Sequence, residues 1–75
     1  MNRKAELTAL VKELEALDIE YEFARGRAAV HKPKALTGDI LSMMAYSGSV
    51  QRMQEIEKRA LVIEDRIAAL ELILR

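Results

Sequence analysis

Side chains that could carry out acid–base, nucleophilic or metal chemistry are few in this 75-residue sequence, and they are not grouped. His31 is the single histidine and cysteine does not occur, which excludes thiolate zinc sites and a Cys–His catalytic pair. Ser47 and Ser49 have the character of turn and cap residues, and Gly26 stands apart from any glycine-rich phosphate loop. The sequence therefore predicts a protein without enzymatic activity, metal, cofactor or small-molecule substrate.

Charge is divided between two neighbouring segments of the chain. Residues 13–22 contain acids and no base, whereas residues 25–34 contain bases and no acid. We predict that the second segment binds an extended or acidic segment of another protein. The predicted partner-binding residues are Arg25, Arg27, Ala29, His31, Lys32 and Lys34.

Three alternatives to this site remain open at the level of sequence. The same cations would suit phosphates, which makes a nucleic-acid-binding dimer the main alternative. A small phage-type protein that inhibits a host complex also fits the length. The charges would equally serve to solvate the surface, where exposed ion pairs contribute only about 0 to 1 kcal/mol each.

An alternating pattern over residues 19–31 predicts a β-hairpin that presents this site. Ile19, Tyr21 and Phe23 alternate with glutamates, as in a half-buried strand, and Gly26 suits a tight turn. A partner strand would then add to the rim of the hairpin. The alternative is that the first helix continues to Ala29.

The last third of the chain carries a heptad pattern, which predicts a long helix over residues 50–74. Arginines occupy the g positions and glutamates the e positions beside its seam, an arrangement that pairs opposite charges in a parallel homodimer. The predicted dimerisation residues are Met53, Ile56, Ala60, Ile63, Ile67, Leu70 and Leu74.

The seam has a second candidate partner within the same chain. Leucines at positions 7, 10, 14 and 17 form a stripe with Glu6 and Glu13 beside it. Antiparallel packing would bring these glutamates near arginines among Arg52, Arg59 and Arg66. The two arrangements are compatible, because further apolar residues lie off the seam and leave a face for a second copy: Leu61, Val62, Leu72 and Ile73.

The predicted fold class is α+β, a single α-β-β-α-α domain over residues 1–75. Helix 3–17 precedes hairpin 19–31, which Pro33 ends. Thr37 then caps a short helix over residues 38–46, and Gly48 and Ser49 separate it from helix 50–74. The 12 basic and 12 acidic residues balance, and no apolar run is long enough for a membrane span, so we expect a soluble cytoplasmic protein.

From about Leu7 to Met44 the sequence resembles the tubulysin-type (TubC-like) N-terminal docking domains of nonribosomal peptide synthetases. The resemblance rests on the leucine helix, the alternating run and a Pro-Lys followed by Leu-Thr, and the residues that carry it are Leu10, Leu14, Ile19, Tyr21, Phe23, Val30, Pro33, Lys34, Leu36, Thr37 and Ile40. It implies that fold, with the hairpin as a surface for docking peptides.

Overall fold

The protein folds as two long antiparallel helices in a computed structural model that describes residues 2–74. Helix α1 spans Arg3–Leu36 and helix α2 spans Ile40–Leu74. A 34-residue helix is about 51 Å long, and the molecule measures 54 × 16 × 15 Å. The helices therefore pack side by side along almost their whole length.

The predicted α+β fold is wrong, because residues 19–31 lie inside α1 and the described residues contain no strand. The leucine stripe of α1 does not stop at Leu17 but continues with the same 3–4 spacing through Tyr21, Ala24 and Ala28. This seam faces α2, and both alanines are buried. The burial of these helically spaced residues against α2 stabilises a helix more than the short apolar–polar alternation of residues 19–23 stabilises a strand. The alternative of a continuing first helix is nearer the structure, although α1 runs beyond Ala29.

Pro33 does not end the element as predicted, since α1 continues to Leu36. The proline has no N–H to donate, but only one further turn of helix follows it. Thr37 is the C-cap of α1 rather than the N-cap of a short helix. The amides of Gly38 and Asp39 donate to the carbonyls of Ala35 and Lys34 at 3.2 Å each. This Schellman arrangement needs a left-handed residue, and Gly38 supplies it with φ of 91°.

The predicted break between a short helix and a long helix is also absent, because α2 is continuous from Ile40 to Leu74. Asp39 precedes it, and its carbonyl accepts the first helical hydrogen bond from the Met43 amide at 2.9 Å. Gly48 and Ser49 lie within the helix, and the Ser49 hydroxyl donates to the Ala45 carbonyl at 2.9 Å. A hydroxyl bonded in this way can be buried in a helix interface without an unpaired polar atom.

Three ion pairs between the helices define their register. Arg52 bonds Glu20 at 2.9 Å, and seven residues further along α2 Arg59 bonds Glu13 at 2.8 Å. Arg66 continues the series with Glu6 at 3.0 Å. Each step of seven residues forward on α2 thus matches seven residues backward on α1, as antiparallel heptads require. The intrachain arrangement that the sequence left open is the one observed.

The core is a narrow line of side chains between the two helices. Its buried apolar members are Ala24, Ala28, Ile56, Ile63 and Leu70. The accessible surface of the chain is 5756 Å². A compact monomer of 8.5 kDa would expose about 4,700 Å². A two-helix rod therefore leaves roughly 1,000 Å² more surface in water than a compact fold of its size.

Candidate interaction surfaces

The predicted partner-binding residues are spread around α1 instead of lying along one strand. Successive helical residues are turned by about 100°, so a run of ten encircles the axis. His31 is half-buried on the seam towards α2, whereas Ala29 and the four cations Arg25, Arg27, Lys32 and Lys34 are exposed. Since the backbone of this segment is bonded within a helix, it has no free strand edge, and the predicted strand addition is wrong.

One of these cations is paired on its own helix. Arg25 forms an i,i+3 ion pair with Glu22 on the surface of α1. Arg27, Lys32 and Lys34 make no ion pair with any other residue of the described range 2–74. These three cations are the part of the predicted site that remains available to a partner.

The predicted dimerisation residues line the seam inside a single chain. Ile56, Ile63 and Leu70 are buried against α1, and Met53, Ala60 and Ile67 are half-buried beside them. Leu74 is exposed at the end of α2. A parallel homodimer through these positions would require the two helices of each chain to separate.

Polar contacts beside the seam change the acid–base properties of two side chains. The Tyr21 hydroxyl donates to the Glu57 carboxylate at 3.1 Å, and this hydrogen bond raises the pKa of Tyr21 above its ordinary value. Hydrogen bonds from Arg52 to Glu20, and secondarily to Glu55, raise the pKa of that guanidinium. Both shifts favour the protonated form of the donor that makes the hydrogen bond, and the contacts of Tyr21 with Glu57 and of Arg52 with Glu20 join the two helices.

The closed end of the rod carries a group of large exposed apolar side chains, which we call the tip cluster: Leu36, Ile40, Leu41, Met43 and Met44. Leu41 is 77% exposed. Beside the cluster lies a groove of about 230 Å³. It is lined by Lys32, Ala35, Leu36, Met43 and Tyr46. Met43 also lines a neighbouring groove with Ile40 and Met44. Exposed apolar side chains that share grooves in this way, rimmed by a cation, are typical of a protein–protein contact surface.

A second apolar surface runs along α1 on the side away from the seam, and we call it the outer stripe: Ala16, Ile19, Phe23, Gly26, Val30 and Pro33. All six residues are exposed, and Phe23 is 68% exposed. Their spacing of 3, 4, 3, 4, 3 is a heptad pattern of its own. The sequence contains that signal, but the alternation of Ile19, Tyr21 and Phe23 led to the prediction of a hairpin over residues 19–31, which hid the continuous helical spacing.

Residues 2–74 contain no group of three or more His, Asp or Glu side chains that could hold a metal ion. Neither α1 nor α2 has a stretch that is both long and apolar enough to cross a bilayer. Comparison with protein-family models, with curated proteins and with solved structures gives no match. The resemblance to peptide-synthetase docking domains thus gains no support, and the hairpin that it implies is helical here.

Proposed function

We propose that this protein is a non-catalytic interaction module of the cytoplasm that binds another protein through the tip cluster. The observation that supports this most directly is the exposure of five large apolar side chains at the closed end of a rod whose own seam is already filled. Water contact costs about 25 cal/mol for each Å² of apolar surface, so covering these side chains supplies binding free energy. Leucine and methionine on adjoining helix ends make an adaptable apolar surface.

The charge around the tip cluster indicates the chemistry of its partner. Lys32 lines the groove beside Leu36 and Met43. It makes no ion pair with the rest of residues 2–74. A partner segment with apolar side chains and an acidic residue would fill the groove and pair with this lysine. An amphipathic acidic helix is the simplest segment of that kind.

Site-directed photocrosslinking in lysate of the source cells tests the proposal. Benzoylphenylalanine replaces Leu36 at the tip, and in a matched control it replaces Lys58, an exposed residue of α2 outside the tip cluster. We expect Leu36, and not Lys58, to crosslink to one protein, and mass spectrometry to place the crosslink in an acidic amphipathic segment. Equal labelling from both positions would contradict the tip as the site.

The identified partner is then titrated as a purified protein. Lys32→Glu is expected to weaken binding by roughly tenfold, because it places like charge against the acidic segment. The helical circular dichroism signal should not change, because Lys32 is exposed. A crosslink from Leu36 to nucleic acid, removed by nuclease, would instead assign the tip to the alternative function.

A further inference from the structure

We propose that two copies of this chain associate through the outer stripe, with their α1 helices antiparallel. This interface is separate from the tip cluster and from the seam that α2 fills. The apolar side chains of the outer stripe are exposed to solvent on the face of α1 opposite α2. The stripe covers residues 16–33, a length of about 27 Å.

The order of residues along the outer stripe fits an antiparallel pair with a two-fold axis between Ala24 and Arg25. In that register Phe23 of each copy lies over Gly26 of the other. Ile19 likewise faces Val30. A two-fold interface must be complementary to itself, and this one pairs the largest side chain with the smallest. Apart from the two chain neighbours and the backbone of its own helix, nothing lies within 4 Å of a Cβ added at Gly26, so the space above this glycine is open to a second molecule.

The polarity of charge along α1 selects the antiparallel orientation. Acids fill the segment before the axis and bases fill the segment after it. In the proposed register Glu20, which bonds Arg52 of its own chain, also lies beside Arg27 of the second copy, and Glu13, which bonds Arg59, lies beside its Lys34. Each glutamate would then be shared between two cations. A parallel pair in register would place Glu15 beside Glu20 of the second copy, which is unfavourable, and would keep one pair of opposite charges, Glu22 with Arg27. Within residues 2–74 neither of the two cations has an ion-pair partner that this contact would displace.

The amount of exposed surface is of the size that such an interface needs. The chain exposes roughly 1,000 Å² more than a compact protein of its mass. Each partner of a standard stable interface buries about 800 Å². Covering one long face of the rod with a second copy would bring the accessible surface of each chain close to that of a compact fold.

Two glycine variants of the purified protein test the contact by sedimentation equilibrium. Gly26→Lys is expected to weaken association by about tenfold or more, because the new side chain occupies the position of Phe23 of the second copy. Gly48→Lys is the matched control, since Gly48 is also an exposed helical glycine with nothing within 4 Å of an added Cβ. Lysine favours helix over glycine, so both variants should fold. An equal effect of the two variants, or a monomeric wild type, would overturn the proposal.

Engineered disulfides report the orientation directly, because the natural sequence has no cysteine. In the double variant Ile19→Cys, Val30→Cys the two thiols of one chain are about 16 Å apart along α1, too far to form a bond. The antiparallel register brings each of them to its counterpart in the second copy. We therefore expect oxidation to give a covalent dimer.

The single variant Ile19→Cys is the control for this crosslink. Its two thiols lie about 16 Å apart in an antiparallel pair but next to each other in a parallel pair. We expect it to remain uncrosslinked under the same oxidation. Crosslinking of the single variant as readily as the double variant would overturn the orientation. A wild-type monomer whose Phe23 position photocrosslinks to a different protein would assign the outer stripe to that partner.

Discussion

Truncating Ile63 at the centre of the seam is expected to destabilise the protein far more than truncating its near neighbour Leu61. Ile63 is 1% exposed, whereas Leu61 is 61% exposed on the outer side of the same helix. Removing a buried isoleucine side chain down to alanine costs about 2–5 kcal/mol, because apolar burial is lost and a cavity remains. Surface substitutions usually change stability by less than about 0.5 kcal/mol.

The loss at Ile63 is large compared with the total stability of a chain of this length. At about 0.05–0.15 kcal/mol per residue, a 75-residue domain has roughly 4–11 kcal/mol in all. A loss of 2 kcal/mol would lower the Tm by roughly 8–16 °C, since each kcal/mol shifts a small domain by about 4–8 °C. Ile63→Asp, which adds an unpaired charge to the seam, should unfold the helices and not merely separate two folded chains.

Thermal and urea unfolding, followed by circular dichroism at 222 nm, measure both alanine variants. We expect Ile63→Ala to melt well below the wild type and Leu61→Ala to melt close to it. Alanine has the higher helix propensity, so any loss at Ile63 arises from packing and not from the backbone. Equal shifts for the two variants would refute the assignment of the seam. A stable fold in Ile63→Asp with a halved mass would show that the seam lies between chains.

Three further predictions concern the polar contacts and the loop. Because the Glu57 hydrogen bond raises the pKa of Tyr21 above 10.0, that contact stabilises the fold at neutral pH and is lost as pH rises through the raised value. Tyr21→Phe should therefore remove one alkaline step from a stability–pH curve, and an unchanged curve would contradict the contact. A double-mutant cycle on Arg59 and Glu13 should give a coupling of about 0.2–1 kcal/mol that shrinks in high salt, whereas zero coupling in low salt would mean that the pair is not formed. Gly38→Ala should cost about 1–2 kcal/mol in urea unfolding, because alanine is strained at φ of 91°; unchanged stability would show that the loop adopts another conformation.

The outer stripe and the tip cluster depend on different parts of the structure. The tip cluster is formed where the two helices meet the loop, so it exists only while α1 and α2 are paired. The outer stripe belongs to α1 by itself. In the proposed register the two tips lie on opposite sides of the two-fold axis, each beside about residues 11–13 of the α1 helix of the other copy. The proposed adaptor would then offer two equivalent contact sites to its partners.

Several features of the fold could be predicted because they appear as regular spacings of residue types along the chain. The heptad seam of α2 and the leucine stripe of α1 are visible as spacings of apolar residues. The arginines of α2 and the glutamates Glu6 and Glu13 allowed the antiparallel pairing to be considered in advance, and the structure pairs them as Arg66 with Glu6 and Arg59 with Glu13. The third pair joins Arg52 to Glu20, a residue that the sequence assigned to a strand. The apolar residues off the seam at Leu61 and Val62 are exposed, in agreement with their position in the heptad.

The segment around Phe23 shows why the rest could not be predicted. Ile19, Tyr21 and Phe23 fit both a strand and a helix with two apolar faces, because a short alternation overlaps a 3–4 spacing. Pro33 and Gly48 predicted an end to the hairpin and a break between two helices, and both predictions rested on the local preferences of single residues. Both residues lie inside helices. Proline and glycine weaken a helix by a few kcal/mol at most, and burial along a long partner helix outweighs that cost.

The sequence by itself determined which residues form the seam and which charges accompany it, since heptad spacing is a property of the chain. Only the tertiary structure decided that α2 packs on α1 of the same chain and not on a second copy. Intrachain packing requires a loop that reverses the direction of the chain within a few residues. Gly38 makes the reversal with three residues between the helices. Once α1 had a neighbour along its whole length, residues 19–31 stayed helical: Tyr21 and Ala28 joined the seam, and Ile19, Phe23 and Val30 became part of the exposed outer stripe.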